Sequence, residues 1–293
     1  MADFGINGIL LKGIGGFYYV KTADSVLECK AKGIFRKRGL TPLAGDSVKV
    51  IGEEGGYVIS EIEPRKNYFQ RPPISNVDQF FYVVSSVDPR PNYMIADRLI
   101  LLCEKRMITP VIVVTKTDLA PVQEFIDLYR HVGYTVIDVM QNEEKALEEI
   151  KGMLTGKLSV FSGNSGVGKS TLLNKLCPGL NLTTNEISKK LGRGKHTTRA
   201  VELYDLFGGI VADTPGFSAL DFEKMEKTPK DQIAHYFIEF RPYLDDCYFS
   251  GCSHRTEKGC AVLKAKSEGL ITQQRHENYC YLYDEAKGFD DYR

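Results

Sequence analysis

Residues 158–176 read LSVFSGNSGVGKSTLLNKL, and the stretch GNSGVGKS within it, from Gly163 to Ser170, decides the fold. This stretch matches the pattern G-x-x-x-x-G-K-[ST], follows an apolar run at 158–161 and precedes a helical pattern at 171–176. A strand, a glycine-rich loop and a helix in this order predict a P-loop, in which backbone N–H groups and the helix N-terminus hold a polyphosphate. The predicted phosphate-binding residues are Gly163, Asn164, Ser165, Gly166, Val167, Gly168, Lys169, Ser170 and Thr171. Lys169 is expected to reach the β- and γ-phosphates, and Ser170 to bind magnesium.

Around the P-loop the sequence alternates between strand-like and helical patterns. Strand-like runs occur at 80–87, 110–115, 135–139, 158–161, 201–207 and 210–212, and helical periodicity occurs at 93–105 and 121–132. Such alternation predicts an α/β domain with a mostly parallel sheet and helices on both of its faces.

A second motif, Thr115-Lys116-Thr117-Asp118, bears on the choice of base. It follows the apolar run at 110–114 and resembles the NKxD guanine-reading motif of GTPases. Because a carboxylate only accepts hydrogen bonds, Asp118 suits the donors on the edge of guanine and would repel the ring acceptor of adenine. Lys116 is expected to lie over the base. Taken alone, a four-residue match is equally compatible with an ordinary surface loop.

A third motif, beginning at Asp213 and ending at Gly216, resembles the DxxG motif that senses the γ-phosphate. Asp213 is expected to hold magnesium through a water molecule, and the N–H of Gly216 to donate to the γ-phosphate. Between this motif and the P-loop, Thr198 or its neighbour Thr197 is placed to complete the magnesium shell. The base-reading motif precedes the P-loop by about 45 residues, whereas it follows the P-loop in ordinary GTPases. This order predicts a circularly permuted G domain.

Four metal-ligand side chains fall within 14 residues: Cys247, Cys252, His254 and Cys260. Three thiolates and an imidazole suit tetrahedral zinc and leave no open position for catalysis, so the spacing predicts a structural zinc site. A redox pair or a group of buried thiols is the alternative. The chain has seven cysteines, and this odd number does not favour a complete disulfide framework.

The first 64 residues consist of short apolar runs separated by turn residues, and they predict a small β-barrel or β-sandwich without a helix. Two segments carry only basic charge and are candidates for contact with RNA phosphates, although a solvated face is the alternative for the first of them. Their candidate residues are Lys30, Lys32, Arg36, Lys37 and Arg38 in the first, and Arg193 and Lys195 in the second.

Composition excludes several classes of protein. The chain has 293 residues, 43% of them apolar, with 38 basic and 38 acidic side chains, which is typical of a globular protein of two or three domains. It has no apolar run of about 20 residues and no signal-peptide pattern, so we expect a cytoplasmic protein without a membrane partner. A monomer is the simplest expectation.

Together these features resemble the ribosome small subunit-dependent GTPase A family over essentially the whole chain. The resemblance implies an OB-fold RNA-binding domain at 1–66, a circularly permuted GTPase domain at 67–222 and a mainly helical zinc-binding domain at 223–293. It also implies an enzyme that hydrolyses GTP to GDP with magnesium and binds the small (30S) ribosomal subunit and its 16S rRNA late in maturation. Hydrolysis would be stimulated by the subunit and coupled to release.

Three positions bear on how such an enzyme would work. Phe217 stands where many GTPases have a water-orienting glutamine, so we expect slow intrinsic hydrolysis. His196 is the candidate to orient the water on the subunit, with RNA contact as its alternative role. Met140-Gln141 replaces the Ser-Ala that usually contacts guanine, so that contact is expected to be weaker or made by the backbone.

Two other functions compete with this interpretation. The first is a nucleotide-gated rRNA-binding module in which turnover is incidental. The second is a signalling or membrane GTPase, which the absence of lipidation motifs disfavours.

Overall fold

The computed structural model of the protein describes residues 5–177, 201–213 and 228–290. The chain divides into two compact units. Unit 1 comprises Met1–Phe81, Asn142–Gly163 and Gly168–Ser218, and unit 2 comprises Tyr82–Gln141, Asn164–Val167 and Ala219–Arg293. In the part of the chain described, no helix is both long and apolar enough to cross a membrane.

The N-terminal segment forms a closed five-stranded barrel, which confirms the expected β-barrel. Its strands are β1 (Ile6–Ile14), β2 (Phe17–Lys21), β3 (Val26–Ala31), β4 (Ser47–Glu53) and β5 (Gly56–Ile62), in the order β1-β2-β3-β5-β4. β1 pairs with β4 to close the barrel, and β3 and β5 are parallel. Alternate apolar side chains fill the interior, as the period-two pattern requires. They are Leu10, Val20, Cys29, Val48, Val50 and Ile59.

The expectation of no helix in this region is wrong for one short element. Helix α1 (Gly33–Lys37) follows β3 and inserts Phe35 into the barrel core. Five residues are too few to show a helical period in the sequence, and a single buried residue is enough to fix such a turn. The helix lies within the first basic segment, so part of that segment has a defined structure.

A short hairpin follows the barrel, formed by β6 (Tyr68–Gln70) and β7 (Pro73–Ser75). The Arg65 guanidinium donates to both carboxylate oxygens of the fully buried Asp46, at 2.7 and 2.8 Å. Gly45 has a positive φ of 93°, and a Cβ there would lie 2.1 Å from the carbonyl oxygen of Ser75. The close approach of hairpin and barrel therefore requires glycine at this position.

The remaining strands form a six-stranded sheet in the order β10-β9-β8-β11-β13-β12. They are β8 (Gln79–Ser85), β9 (Thr109–Thr115), β10 (Thr135–Asp138), β11 (Leu158–Ser162), β12 (Glu202–Leu206) and β13 (Gly209–Asp213). The pairs β10–β9 and β11–β13 are parallel, and β12 is antiparallel to β13. The helices described between them are α2 (Tyr93–Lys105), α3 (Gln123–Val132), α4 (Glu143–Leu154) and α5 (Lys169–Leu176). β8 and β11 are buried along their whole length, as strands of a covered parallel sheet are.

The C-terminal segment is helical, irregular and helical again, as the sequence predicts. It contains α6 (Lys230–Ile233), two 3₁₀ segments (Ala234–Tyr236 and Ile238–Asp246), α7 (Ala261–Ser267) and α8 (Gln273–Asp290). Its core is built on aromatic residues, with Phe237 and Phe240 in contact with Tyr279. The four predicted metal ligands, Cys247, Cys252, His254 and Cys260, lie between the second 3₁₀ segment and the start of α7. The domain boundaries at 66/67 and 222/223 remain predictions.

Candidate functional site

The loop that carries the TKTD motif begins where β9 ends, and Thr115 ties it to the P-loop. The hydroxyl of this buried residue donates a hydrogen bond to the carbonyl oxygen of Val167 at 2.6 Å. The carbonyl oxygen of Val84 lies 3.1 Å from the same hydroxyl. A threonine thus makes the link to the P-loop at a position where the sequence departs from the usual asparagine.

Lys116 makes a second link between the same two loops. It adopts a left-handed backbone conformation, with φ of 58°, and its ammonium donates to the carbonyl oxygen of Gly166 at 2.7 Å. The backbone of Lys116 is held in turn, because the hydroxyl of Ser86 donates to its carbonyl oxygen. Sequence reasoning missed Ser86, which follows β8 and belongs to no motif. The structure therefore brings the TKTD motif and the tip of the P-loop together through side chain to backbone bonds.

The P-loop itself connects β11 to α5, as its sequence predicts. Gly166 and Gly168 have positive φ values of 86° and 90°, and Gly168 is the N-cap of α5. Lys169 and Ser170 are the first two residues of that helix. Free N–H groups and the positive end of the helix dipole collect at such a terminus, which makes it suited to phosphate.

A pocket of about 470 Å³ opens beside the TKTD loop. Asp118, which is exposed, lines it together with Thr117, Asp138, Met140 and Gln141. The carboxylate of Asp138 accepts hydrogen bonds from the Thr117 hydroxyl at 2.7 Å and from the Met140 N–H at 3.0 Å. Sequence reasoning singled out Met140-Gln141 but missed Asp138, which precedes them at the end of β10.

The predicted magnesium and switch residues are only partly within the described chain. Asp213 is the last residue of β13 and pairs in register with Phe161, two residues before the P-loop. Its backbone therefore runs beside the strand that leads into the P-loop. Six candidate residues lie outside the described residues: Arg193, Lys195, His196, Thr197, Thr198 and Gly216.

The four predicted metal ligands converge, with their ligand atoms all within 4.8 Å of one another. The Nδ1 atom of His254 lies 3.4 Å from the sulfur of Cys247 and 3.6 Å from that of Cys260, and these two sulfurs are 3.9 Å apart. Tetrahedral zinc with Zn–S near 2.3 Å and Zn–N near 2.0 Å requires edges of about 3.8 Å between sulfurs and about 3.5 Å between sulfur and nitrogen. The donor set and its spacing therefore fit one tetrahedral metal ion.

Glu257, which sequence reasoning missed, organises the loop that carries these ligands. Its carboxylate accepts backbone N–H bonds from Ser253 at 2.8 Å, Arg255 at 2.9 Å and Thr256 at 3.0 Å. Burial acts to raise the pKa of Glu257, but the bonds from Ser253 and Arg255 hold it well below its ordinary value. The loop turns about this carboxylate and places His254 between the cysteines.

A buried ionic cluster joins the C-terminal segment to α2. Arg275 is 1% exposed and donates to Asp97 on α2 at 2.6 Å and to Glu239 at 2.6 and 3.1 Å. The remaining capacity of Asp97 is taken up by the Tyr129 hydroxyl and the Asn278 amide, both at 2.6 Å. Burial raises the pKa of Asp97, while Arg275 and the two neutral donors oppose that rise. The buried polar groups of this cluster thus supply one another's hydrogen-bond partners.

The first basic segment lies on the surface of the barrel. Lys30, Arg36, Lys37 and Arg38 are exposed, and Lys32 is half-buried with Glu53 3.7 Å from its ammonium. The ammonium of Lys30 lies 5.7 Å from the ring centre of the exposed Phe17 on the neighbouring strand. Exposed rings beside lysines are the usual elements of a surface that stacks nucleic-acid bases.

Two family models match the chain. The model described as RsgA GTPase matches residues 62–223, and the model described as RsgA N-terminal domain matches residues 7–58. A protein of Geobacillus thermodenitrificans named "Small ribosomal subunit biogenesis GTPase RsgA" is 45% identical over 289 residues, covering 96% of this chain and 97% of that protein. A protein of the same name from Caldanaerobacter subterraneus is 42% identical over 288 residues and covers 96% of each.

Solved structures agree with the sequence relatives. The crystal structure of YloQ, described as a circularly permuted GTPase, aligns with a TM-score of 0.79 at 35% identity and covers 97% of this chain and 96% of that one. YjeQ from Thermotoga maritima aligns with a TM-score of 0.81 at 32% identity and covers 97% and 99%. The likeness extends over barrel, sheet and C-terminal segment alike, and it confirms the permuted order of motifs. The chain is a GTPase and belongs to the RsgA GTPase family.

Proposed function

We propose that this protein hydrolyses GTP on the small ribosomal subunit and acts in the late maturation of that subunit. The observation that carries the proposal is the joining of the TKTD motif to the P-loop through Thr115 and Lys116. This junction brings the TKTD motif next to the P-loop, which supports guanine recognition beside bound phosphates. The relatives named as small ribosomal subunit biogenesis GTPases supply the biological setting.

The proposed nucleotide contacts follow from the two loops. Asp118 accepts from the guanine edge, Lys116 lies over the base, and Lys169 neutralises the β- and γ-phosphates. Ser170 and Thr198 would hold Mg²⁺ directly and Asp213 through water, and the ion would neutralise the charge on the phosphates. Ser170 at the start of α5 and Asp213 at the end of β13 are both positioned by strands β11 and β13, which pair in parallel.

Slow hydrolysis by the free protein follows from Phe217, a side chain with no group to orient the attacking water. We assign that task to His196 or to a group of the docked subunit. In either case we propose that the basic segment around His196 contacts RNA. Hydrolysis would then report that docking is complete, and the GDP form would be released.

The proposed partner is 16S rRNA, and exposed lysines and aromatic rings on the barrel support RNA contact. Phosphate contacts of this kind depend on salt rather than on sequence. Since ribosomal subunits mature in the cytoplasm, we place the protein there, acting as a monomer. For the Cys247–Cys260 cluster we propose zinc, because three cysteines and one histidine at tetrahedral spacing match its preferred donors.

Stimulation by the subunit is the first prediction. Steady-state release of phosphate from GTP is expected to rise at least about tenfold with purified small subunits, because docking supplies the missing water-orienting group. Large subunits provide the specificity control, and Lys169→Ala, which removes the P-loop charge, provides the background. A rate that small subunits leave unchanged while GTP still binds would contradict the proposal and favour the nucleotide-gated RNA-binding module.

Base selectivity gives the second prediction. Replacing Asp118 with asparagine is expected to weaken GDP affinity by about 10- to 100-fold, because a charge-assisted hydrogen bond contributes about 1.5–3 kcal/mol. The amide can donate to the 2-oxo group of xanthine, so affinity for XDP is expected to rise in the same variant. Titration calorimetry with GDP and with XDP measures the change in the ratio of the two affinities. Unchanged GDP affinity in Asp118→Asn would refute the assignment of this residue to the base.

A further inference from the structure

We propose that Asp138 is a positioning residue for guanine recognition: its carboxylate fixes the TKTD loop and the loop after β10 in one arrangement. The inference rests on the proposed role of Asp118. The two hydrogen bonds that its carboxylate accepts come from the Thr117 hydroxyl and the Met140 N–H, so its effect is exerted through the two loops on either side of the pocket.

The first observation is the sharing of one oxygen between two loops. Oδ1 of Asp138 accepts the hydroxyl of Thr117 at 2.7 Å and the N–H of Met140 at 3.0 Å. Thr117 is the residue directly before Asp118, and Met140 begins the pair that replaces the usual Ser-Ala. A single carboxylate oxygen therefore sets the distance between the base-reading aspartate and the opposite rim of the pocket.

The second observation is how the rest of the TKTD loop is held. Thr115 is fixed by Val167, and Lys116 is fixed at both its side chain and its carbonyl, by Gly166 and Ser86. These bonds hold the first half of the motif against the P-loop. The hydroxyl bond of Thr117 to Asp138 holds the second half, from the side of β10. The side chain of Asp118 is exposed, so the direction in which it points depends on how the adjacent Thr117 is held.

The third observation is the character of the Met140-Gln141 loop. Met140 is 43% exposed, and its backbone N–H bond to Asp138 spans two residues in the manner of an Asx-turn. That turn fixes the backbone of the loop independently of its side chains. A loop that lacks the usual Ser-Ala can in this way still present a defined backbone to a base.

The test compares the affinities of Asp138→Ala for GDP and IDP by titration calorimetry. Inosine lacks the 2-amino group of guanine, so the ratio of the two affinities measures how well Asp118 is aimed. We expect GDP affinity to fall about tenfold with a smaller change for IDP, since Asp118 would no longer be held to accept the charge-assisted bond from the 2-amino group of guanine. Asp138→Asn keeps an acceptor oxygen and is expected to restore most of the ratio.

Two further variants separate positioning from general stability. Thr117→Val removes the donor at nearly constant shape, and its effect on the ratio is expected not to add to that of Asp138→Ala. Glu124→Ala on α3 removes an exposed carboxylate that is not part of the pocket lining, and it is expected to leave the ratio unchanged.

Each outcome decides between separate assignments. A wild-type ratio in Asp138→Ala, or equal losses for GDP and IDP with a lowered melting temperature, would overturn the positioning role. If Asp118→Asn also keeps the wild-type ratio, the proposed base reading fails as well. If Asp118→Asn loses the ratio while Asp138→Ala keeps it, only the role of Asp138 fails.

Discussion

Removing the metal from the Cys247–Cys260 cluster is expected to unfold the loop that carries the four ligands and to loosen α7. Zinc bound by such a donor set contributes about 10 kcal/mol or more of apparent binding free energy, and this is folding free energy where no preformed site exists without the ion. The loop between 247 and 260 contains no regular helix or strand. Cys260 is also the N-cap of α7, where its sulfur accepts the N–H of Leu263 at 3.4 Å.

Metal content and amide exchange measure this effect. The purified chain is expected to hold one equivalent of zinc, and chelation under reducing conditions is expected to abolish protection of amides in the loop and in α7. Cys252→Ser is expected to bring the zinc content close to zero. Cys280→Ser is the matched control, because Cys280 lies on α8 outside the cluster. Full zinc in Cys252→Ser, or none in the wild-type protein, would contradict the assignment.

How much of the fold and of the candidate site the sequence predicts depends on whether residues that act together are close along the chain. The P-loop and the zinc ligands are each a local pattern with a strict chemical requirement, so their spacing alone brings the residues together. The barrel and the parallel sheet follow from periods of two and from the alternation of strands and helices. Helix α1 was missed because one buried phenylalanine in five residues produces no period.

The supporting residues were missed for a different reason. Ser86, Asp138 and Glu257 belong to no motif themselves, and they hold neighbouring loops largely through backbone atoms. Arg275 was missed because its sequence neighbours are polar. It stands in the sequence QQRHENY, which reads as a solvated helix face, yet Arg275, His276 and Asn278 are all buried. Burial of an arginine requires acidic partners, and these lie on α2 and in a 3₁₀ segment far away in sequence.

Replacing Arg275 with methionine is expected to cost about 3–5 kcal/mol in the free energy that holds α8 on α2. Removal of one member leaves Asp97 and Glu239 buried or half-buried without their cation, and uncompensated buried charge has this cost. Methionine retains most of the volume and the contact with Phe237, whose ring centre lies 4.3 Å from the guanidinium carbon. The loss would therefore report charge rather than a cavity.

Native-state hydrogen exchange measures the opening of α8 and α2 directly and does not require the whole chain to unfold in one step. A triple variant, Arg275→Met with Asp97→Asn and Glu239→Gln, leaves no unpaired charge and is expected to recover part of the lost protection. Recovery would show that the penalty comes from orphaned carboxylates, since both variants that carry Arg275→Met share the same loss of the guanidinium packing. Protection in Arg275→Met equal to that of the wild type would mean that the aromatic core around Phe240 and Tyr279 holds the C-terminal segment on α2 without the ionic cluster.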